Sequence, residues 1–184
     1  MTKLLRYKTI GSTNEEAVRL AKSMDPITPT VLIAETQTKG RGRYGHSWYS
    51  DQKEGLYYSY LHPECYHDTN QISQQNNAIC QGICAVIHHI TGLQATIKEP
   101  NDILINTKKV CGILSELGPI KALRASYMVI GIGLNINQPL FPTSIKKTAT
   151  SLFLETGQTY DKNDFIKRIT KELTLMFKAH PKGF

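Results

Sequence analysis

The chain has 184 residues, of which 40% are apolar, and it lacks the run of about 18 apolar residues that a membrane-spanning helix needs. At roughly 150 residues per domain, this length predicts a single domain, and the apolar content excludes a wholly disordered chain. The formal net charge of +7 favours an anionic partner: nucleotide phosphates, nucleic acid or an acidic protein.

The first part of the chain alternates short strands with one helix. A strand is predicted at Leu4–Tyr7. A helix is predicted to begin at Ser12–Glu16, where two capping-box spacings overlap, and to end at Asp25–Pro29. The unbroken apolar run Thr30–Ala34 predicts a buried strand, and a further strand is predicted at Leu56–Leu61.

Two helices and several hairpin-like strands make up the rest. Apolar spacing predicts a helix over about Asn70–Thr91 and a last helix from about Asn163. Between them we predict strands at Gln94–Lys98, Ile103–Ile105, Val110–Leu117 and Tyr127–Ile136, with turns at Asn101–Asp102, Asn106–Lys108 and Gly118–Lys121. This order predicts an α+β fold: a mixed, largely antiparallel sheet that helices cover on one face.

The cysteines Cys65, Cys80, Cys84 and Cys111 contain no CxxC pair. Because the N-terminus also lacks the apolar stretch of a signal peptide, we expect reduced thiols and a cytoplasmic protein. Cys80, Cys84 and His88 lie at metal-like spacing on one helical face, but isoleucines share that face, so we interpret the set as core.

A loop rich in glycine and arginine, Lys39–His46, lies between the predicted strands Thr30–Ala34 and Leu56–Leu61. Its glycines permit close approach to a ligand, and its guanidinium groups suit a carboxylate or a phosphate. Composition alone leaves open a solvated basic loop or an RNA contact. Its position between two core strands favours a substrate loop, mobile when empty and closed over a ligand.

Two further segments are candidates for a ligand site. The turn Lys98–Asp102 precedes a strand on which Lys109 places an ammonium group at the sheet end and Gly112 permits close approach; a purely structural hairpin is the alternative. Gly131 and Gly133 alternate along a later strand and leave its backbone uncovered on one side. Asn135 and Asn137 are expected on the same face. Tight packing explains these glycines equally well.

Together these segments resemble the catalytic domain of biotin protein ligases. The resemblance covers about residues 4–177 and rests on Ser12-Thr13-Asn14, on Gln37 with Gly40–Trp48, on Lys98–Asp102 with Lys109–Leu114, and on Gly131–Asn135. It implies the biotin–lipoate ligase fold, which is similar to class II aminoacyl-tRNA synthetases. It further implies that ATP activates biotin to biotinyl-5′-AMP, with Mg²⁺ arriving on the nucleotide, and that biotin then passes to a lysine of a biotin carboxyl carrier protein.

The resemblance also implies roles for individual residues. Arg43, Lys109 and Asp102 are the expected catalytic residues. The expected biotin-binding residues are Ser12, Thr13, Asn14, Gln37, Gly40, Arg41, Gly42, Arg43, Lys109 and Gly112. The expected ATP-binding residues are Arg41, Arg43, Trp48, Asn101, Lys109, Gly131, Gly133 and Asn135.

Two positions depart from the family pattern: Glu99 replaces a tryptophan and His46 replaces an arginine, which predicts a weaker grip on ATP. We expect one catalytic domain over residues 1–184, with no DNA-binding domain before it, no small barrel domain after it, and no DNA or membrane partner, as a monomer or homodimer. Lipoate or octanoate transfer on the same fold, a non-catalytic biotin or adenylate binder, and an RNA-binding module are the alternatives.

Overall fold

The computed structural model describes residues 2–23, 28–65, 69–120 and 125–179. The strands are β1 Lys3–Ile10, β2 Thr30–Gln37, β3 Leu56–Cys65, β4 Thr96–Lys98, β5 Asp102–Ile105, β6 Lys108–Ile120 and β7 Ala125–Leu134. The helices in these ranges are α1 Thr13–Ser23, α2 Thr69–Thr91, α3 Leu152–Thr156 and α4 Lys162–Ala179. Every predicted strand and helix is present, and the short α3, which is capped by the hydroxyl of Ser151, was not predicted.

All seven strands form one mixed sheet in the order β1-β2-β3-β7-β6-β5-β4. Only β1 and β2 run parallel, and the remaining neighbours pair antiparallel, which confirms the prediction of a largely antiparallel sheet. The register of β6 and β7 sets Gly112 directly opposite Gly133. Two glycines side by side leave a bare patch of backbone in the middle of the sheet.

Helices cover both faces of the sheet, so the prediction of a single covered face is wrong. Along β2, Val31 and Ile33 belong to the core under α2 and α4, whereas Leu32 belongs to a second cluster with Ala17 and Ala21 of α1. The physical reason is the unbroken apolar run of β2. Because side chains alternate between faces, such a run requires cover on both sides.

One predicted turn is also wrong. Strand β6 continues through Gly118 and Pro119 to Ile120, where Gly118 lies opposite Tyr127 of β7. A side chain at Gly118 would overlap the phenol ring of Tyr127, so this glycine makes room for a cross-strand aromatic ring instead of forming a turn. Part of the predicted end of α1, Asp25–Pro29, lies outside the described residues.

The interpretation of the cysteines as core is confirmed for Cys80, which is fully buried, and burial raises its pKa to about 12. His88 on the same helix is exposed instead. Within the ranges given above, no cluster of three or more His, Cys, Asp or Glu side chains is arranged to hold a metal ion. None of the helices in the described part of the chain combines the length and apolar character needed to cross a membrane.

The second core cluster is tested by Leu32→Ala. Leu32 is fully buried under α1, so truncation should lower the free energy of unfolding by about 2–5 kcal/mol. Leu4→Ala on the neighbouring strand is the matched control, because Leu4 is 48% exposed. Urea unfolding followed by circular dichroism measures both variants, and equal losses would contradict the packing of α1 on this face.

Candidate active site

Two cavities open near the ends of the central strands and share a wall. The first, about 260 Å³, is lined by Ser12, Thr13, Asn14, Gln37, Arg41, Gly42, Arg43, Trp48, Asn101, Asp102, Lys109, Gly112, Gly131 and Gly133, among others. The second, about 660 Å³, is lined by Gly40 and Asn135 and again by Gln37, Trp48, Asp102 and Lys109. Every catalytic, biotin-binding and ATP-binding residue expected from the resemblance therefore lines one or both cavities.

The floor of the first cavity is a neutral polar network at the start of α1. The backbone N–H and the hydroxyl of Thr13 both donate to Oε1 of Gln37, at 2.8 and 3.1 Å. The hydroxyl of Ser59 on β3 lies 2.8 Å from Thr13 Oγ1 and 2.6 Å from Asn14 Oδ1. Thr13, Asn14 and Ser59 are all buried, so these groups are held in fixed directions.

This network replaces the predicted capping boxes. The N–H of Thr13 is satisfied by Gln37 of β2, while Glu16 pairs with Arg19 at 2.6 Å and Glu15 faces Arg41 at 3.5 Å. The start of α1 is thus capped by a neighbouring strand. Ser59, which also belongs to the floor, was missed because it reads as an ordinary residue of a buried strand.

The glycine-rich segment, which the sequence predicts as a loop, contains an isolated bridge between Arg41 and Ser47 and is a short hairpin. At its neck Trp48 N donates to the carbonyl of Gly40 at 2.9 Å, and Gly42 N donates to that of His46 at 2.7 Å. The tip is a single 3₁₀ turn, Arg43–Gly45, whose Tyr44 has a positive φ of 55° and is 86% exposed. Two backbone hydrogen bonds therefore hold the neck, whereas the side chain of Tyr44 at the tip extends into solvent.

Three cationic side chains from two distant parts of the chain line the first cavity: Arg41, Arg43 and Lys109. Lys109 Nζ lies 2.6 Å from Asp102 Oδ1 and 5.2 Å from the ring centre of Trp48. Arg43 donates to the Tyr44 hydroxyl through Nη2 at 3.2 Å, while its buried Nη1 has no hydrogen-bond partner among the described residues. An unsatisfied, buried guanidinium donor in a cavity is a ready partner for an anion.

The indole of Trp48 forms the wall between the two cavities. It lies on the bare patch of the sheet: an added Cβ at Gly112 would be 2.9 Å from Trp48 Cζ3, and one at Gly133 would overlap the ring. Its Nε1 is buried without a hydrogen-bond partner in the described part of the chain. On the same strand, a Cβ at Gly131 would overlap Asn14. The strand glycines thus seat two site side chains.

The second cavity contains residues that the sequence analysis missed. Phe141, Pro142 and Ile145 supply an apolar side, and the ring of Phe141 meets that of Tyr49 edge-on at 6.4 Å between centroids. These residues follow β7 in an irregular segment without periodicity, so no sequence signal marked them. Lys39 and Lys98 also line this cavity.

Asn135 and Asn137 were expected on the same strand face as Gly131 and Gly133, and this expectation is wrong. Strand β7 ends at Leu134; Asn135 is buried and donates to the carbonyl of Thr150 at 2.9 Å, whereas Asn137 donates to that of Tyr160. Only Asn135 lines a cavity. Glu99 is exposed, accepts from Asn77 at 3.5 Å and is not among the residues that line either cavity.

Comparison with known proteins agrees with this geometry. A model of the biotin/lipoate A/B protein ligase family matches residues 7–135. The chain belongs to this family. It is 38% identical over 171 residues to the bifunctional ligase/repressor BirA of Bacillus spizizenii, covering 90% of this chain and 51% of the relative. It is 30% identical over 166 residues to the biotin–[acetyl-CoA-carboxylase] ligase of Mycobacterium tuberculosis, covering 89% and 59%.

A solved structure of a family member shares the fold. The biotin protein ligase from Aquifex aeolicus, in complex with biotin and ATP, superposes with a TM-score of 0.76 at 32% identity, covering 97% of this chain and 72% of that one. The resemblance to biotin protein ligases and the expected fold are confirmed. The chain spans about half the length of the curated relatives it matches.

The seat of Trp48 is tested by Gly133→Ala. The added methyl group would displace the indole, and because Trp48 is the single tryptophan of the chain, its fluorescence reports on this position alone. We expect a red-shifted emission and a loss of ligand-induced change. Gly11→Ala is the control, since its Cβ meets only Glu15 at 3.7 Å. An unchanged Gly133→Ala spectrum would contradict the seating of the ring.

Proposed function

We propose that this protein joins biotin to ATP, forming biotinyl-5′-AMP, and then transfers biotin to a lysine of a biotin carboxyl carrier protein. One observation carries the proposal: Arg43 and Lys109, from distant parts of the chain, line a cavity whose floor is neutral and polar. A molecule with a neutral hydrogen-bonding end and an anionic end fits this arrangement. Biotin has both, a ureido ring and a carboxylate.

In this proposal the ureido ring lies on the floor. Thr13, Asn14 and Gln37 present fixed amide and hydroxyl groups that suit a ring carrying both N–H donors and a carbonyl acceptor. The carboxylate then points towards Lys109 and Arg43. Ser12, Gly40, Gly42 and Gly112 border the same space, where the glycines let the ligand approach the backbone.

ATP is assigned to the second cavity. Its apolar side, formed by Phe141, Pro142 and Ile145, suits a base, and Lys109 and Trp48 line both cavities. The α-phosphate and the biotin carboxylate would therefore meet beside Lys109. By the resemblance to the family, Mg²⁺ would arrive with the nucleotide phosphates rather than in a protein cage.

The chemistry requires charge neutralisation more than a strong base. A carboxylate oxygen of biotin attacks the α-phosphorus, the bond to the β-phosphate breaks, and pyrophosphate leaves. Both reactants are anions, so Lys109, Arg43 and Arg41 would offset their repulsion and the charge that develops. In the second step the acceptor amine attacks the acyl carbon and AMP leaves. Asp102 would orient the amine or take up its proton, and its position 2.6 Å from Lys109 supports this role.

The named relatives support the substrate. The Mycobacterium tuberculosis relative is named for biotin and acetyl-CoA carboxylase, and the Aquifex aeolicus structure holds biotin and ATP. The name of the Mycobacterium tuberculosis relative also supports a carboxylase carrier as the partner, and we propose a cytoplasmic location, where ATP is available. We further propose that residues 1–184 form a single catalytic domain, which acts as a monomer or a homodimer.

The function is tested by incubating the protein with Mg²⁺, ATP and either biotin or lipoate. Mass spectrometry should detect biotinyl-5′-AMP, and an added biotin carboxyl carrier domain should gain one biotin. Pyrophosphate exchange with lipoate alone would overturn the substrate assignment. Tight biotin binding without adenylate would favour the non-catalytic binder, and salt-sensitive RNA binding that biotin does not affect would favour an RNA module.

Lys109→Ala tests the central charge. Removing this ammonium should slow biotin-dependent ATP–pyrophosphate exchange by about 100-fold or more, because one preorganised contact to developing charge is lost. Lys108→Ala is the matched control, since Lys108 is the exposed neighbour and is not among the residues that line the cavities. Undiminished exchange in Lys109→Ala would refute its role.

A further inference from the structure

Glu116 on β6 joins the floor of the first cavity to its rim. Its Oε2 accepts from Asn14 Nδ2 at 2.8 Å, and its Oε1 lies 3.6 Å from Arg41 Nη2. Asn14 belongs to α1 and Arg41 to the neck of the glycine-rich hairpin. One half-buried carboxylate therefore contacts two elements that border the same ligand space.

The contact with Asn14 determines which way its amide faces. A carboxylate only accepts hydrogen bonds, so Asn14 must turn its NH₂ group towards Glu116. The second amide proton goes to the carbonyl of Leu114 at 3.1 Å, and Oδ1 accepts from Ser59. Both protons of Asn14 are thus in use, and a lone pair of Oδ1 is what the amide has left to offer a ligand N–H.

The contact with Arg41 holds the hairpin at its neck. Arg41 also faces Glu15 at 3.5 Å, but that carboxylate is 49% exposed, whereas the Glu116 side chain is 26% exposed. Water screens an ion pair, and because Arg41 is 46% exposed in both pairs, the more buried Glu116 makes its pair the less screened of the two. Among the described residues, no ion pair of this kind is present at the tip, where Arg43 lies.

We infer that Glu116 is a positioning residue for biotin activation: through Asn14 it orients the acceptor that faces the ureido ring, and through Arg41 it fixes the neck of the hairpin. This inference rests on the proposed function. Glu116 itself does not act on the reacting atoms. It should affect the binding of biotin more than the rate of the chemical step.

The test uses Glu116→Gln, which keeps the shape and removes the charge. We expect the KM for biotin in pyrophosphate exchange to rise about tenfold, the size of one charge-assisted contact, while kcat changes much less. Glu15→Gln is the matched control and should change KM by less than about twofold. Equal effects of the two variants, or a loss confined to kcat, would overturn the inference.

A mutant cycle separates positioning from general damage. If Glu116 acts through Arg41 and Asn14, the effect of Glu116→Gln should shrink in an Arg41→Gln or Asn14→Ala background. Additive losses in both backgrounds would overturn it. Arg41→Gln alone approaches the same contact from the other side and covers the case in which Glu116→Gln does not fold.

Hydrogen exchange of the ligand-free proteins keeps this inference distinct from the proposed function. Glu116→Gln should speed exchange at the neck amides of Gly42 and Trp48, whereas Glu15→Gln should not. This readout needs no biotin, so it stands even if the wild-type protein forms no adenylate, in which case the proposed function fails. Unchanged neck exchange in Glu116→Gln would contradict the anchoring of Arg41.

Discussion

In the proposed reaction two anions must come into contact, and their mutual repulsion is what the arrangement of the site has to offset. A carboxylate and a phosphate approach each other only where fixed positive charge offsets the repulsion, and that charge is most effective away from bulk water. Here Lys109 comes from the start of β6 and Arg43 from a hairpin between β2 and β3. The sheet brings them to one cavity. Asp102 pairs with the ammonium of Lys109 at 2.6 Å, and in the proposed reaction a substrate carboxylate would compete for that ammonium.

Glycine determines where this charge can be used. Gly112 and Gly133 sit opposite each other on β6 and β7, and the indole of Trp48 rests on the patch that they leave bare. The ring therefore lies close to the sheet and divides the space into two cavities that share Lys109. A side chain at either glycine would push the indole away from the sheet and change the wall between the two cavities beside Lys109. Close backbone approach is thus a condition of the site as much as the cations are.

Much of this could be predicted from the sequence. The bounds of α2 could be predicted from the spacing of its apolar residues. The candidate site residues could be identified because they lie in four motifs, and the fold brings them to one region. The second covered face could also have been predicted, since the apolar run of β2 allows no polar side. The sequence analysis interpreted β2 only as a buried strand and did not conclude that helices must cover both faces of the sheet.

The remaining features depend on contacts through space. Glu116 reads as a polar residue of a strand, and its partner Asn14 lies 102 positions earlier. Gln37 caps α1 from another strand, so the local capping-box pattern indicated the wrong partner. Phe141 and Ile145 line the second cavity from a segment with no periodicity. Such residues acquire a role only when the sheet places distant segments side by side.

The central claim is that Arg43 and Lys109 act together on the same developing charge. A double-mutant cycle with Arg43→Ala and Lys109→Ala, measured by the rate of biotinyl-5′-AMP formation in a single turnover, tests it most directly. The account predicts strong coupling, with the double variant much faster than the product of the two single losses implies. Strictly multiplicative losses would show that the two cations act independently and would contradict it.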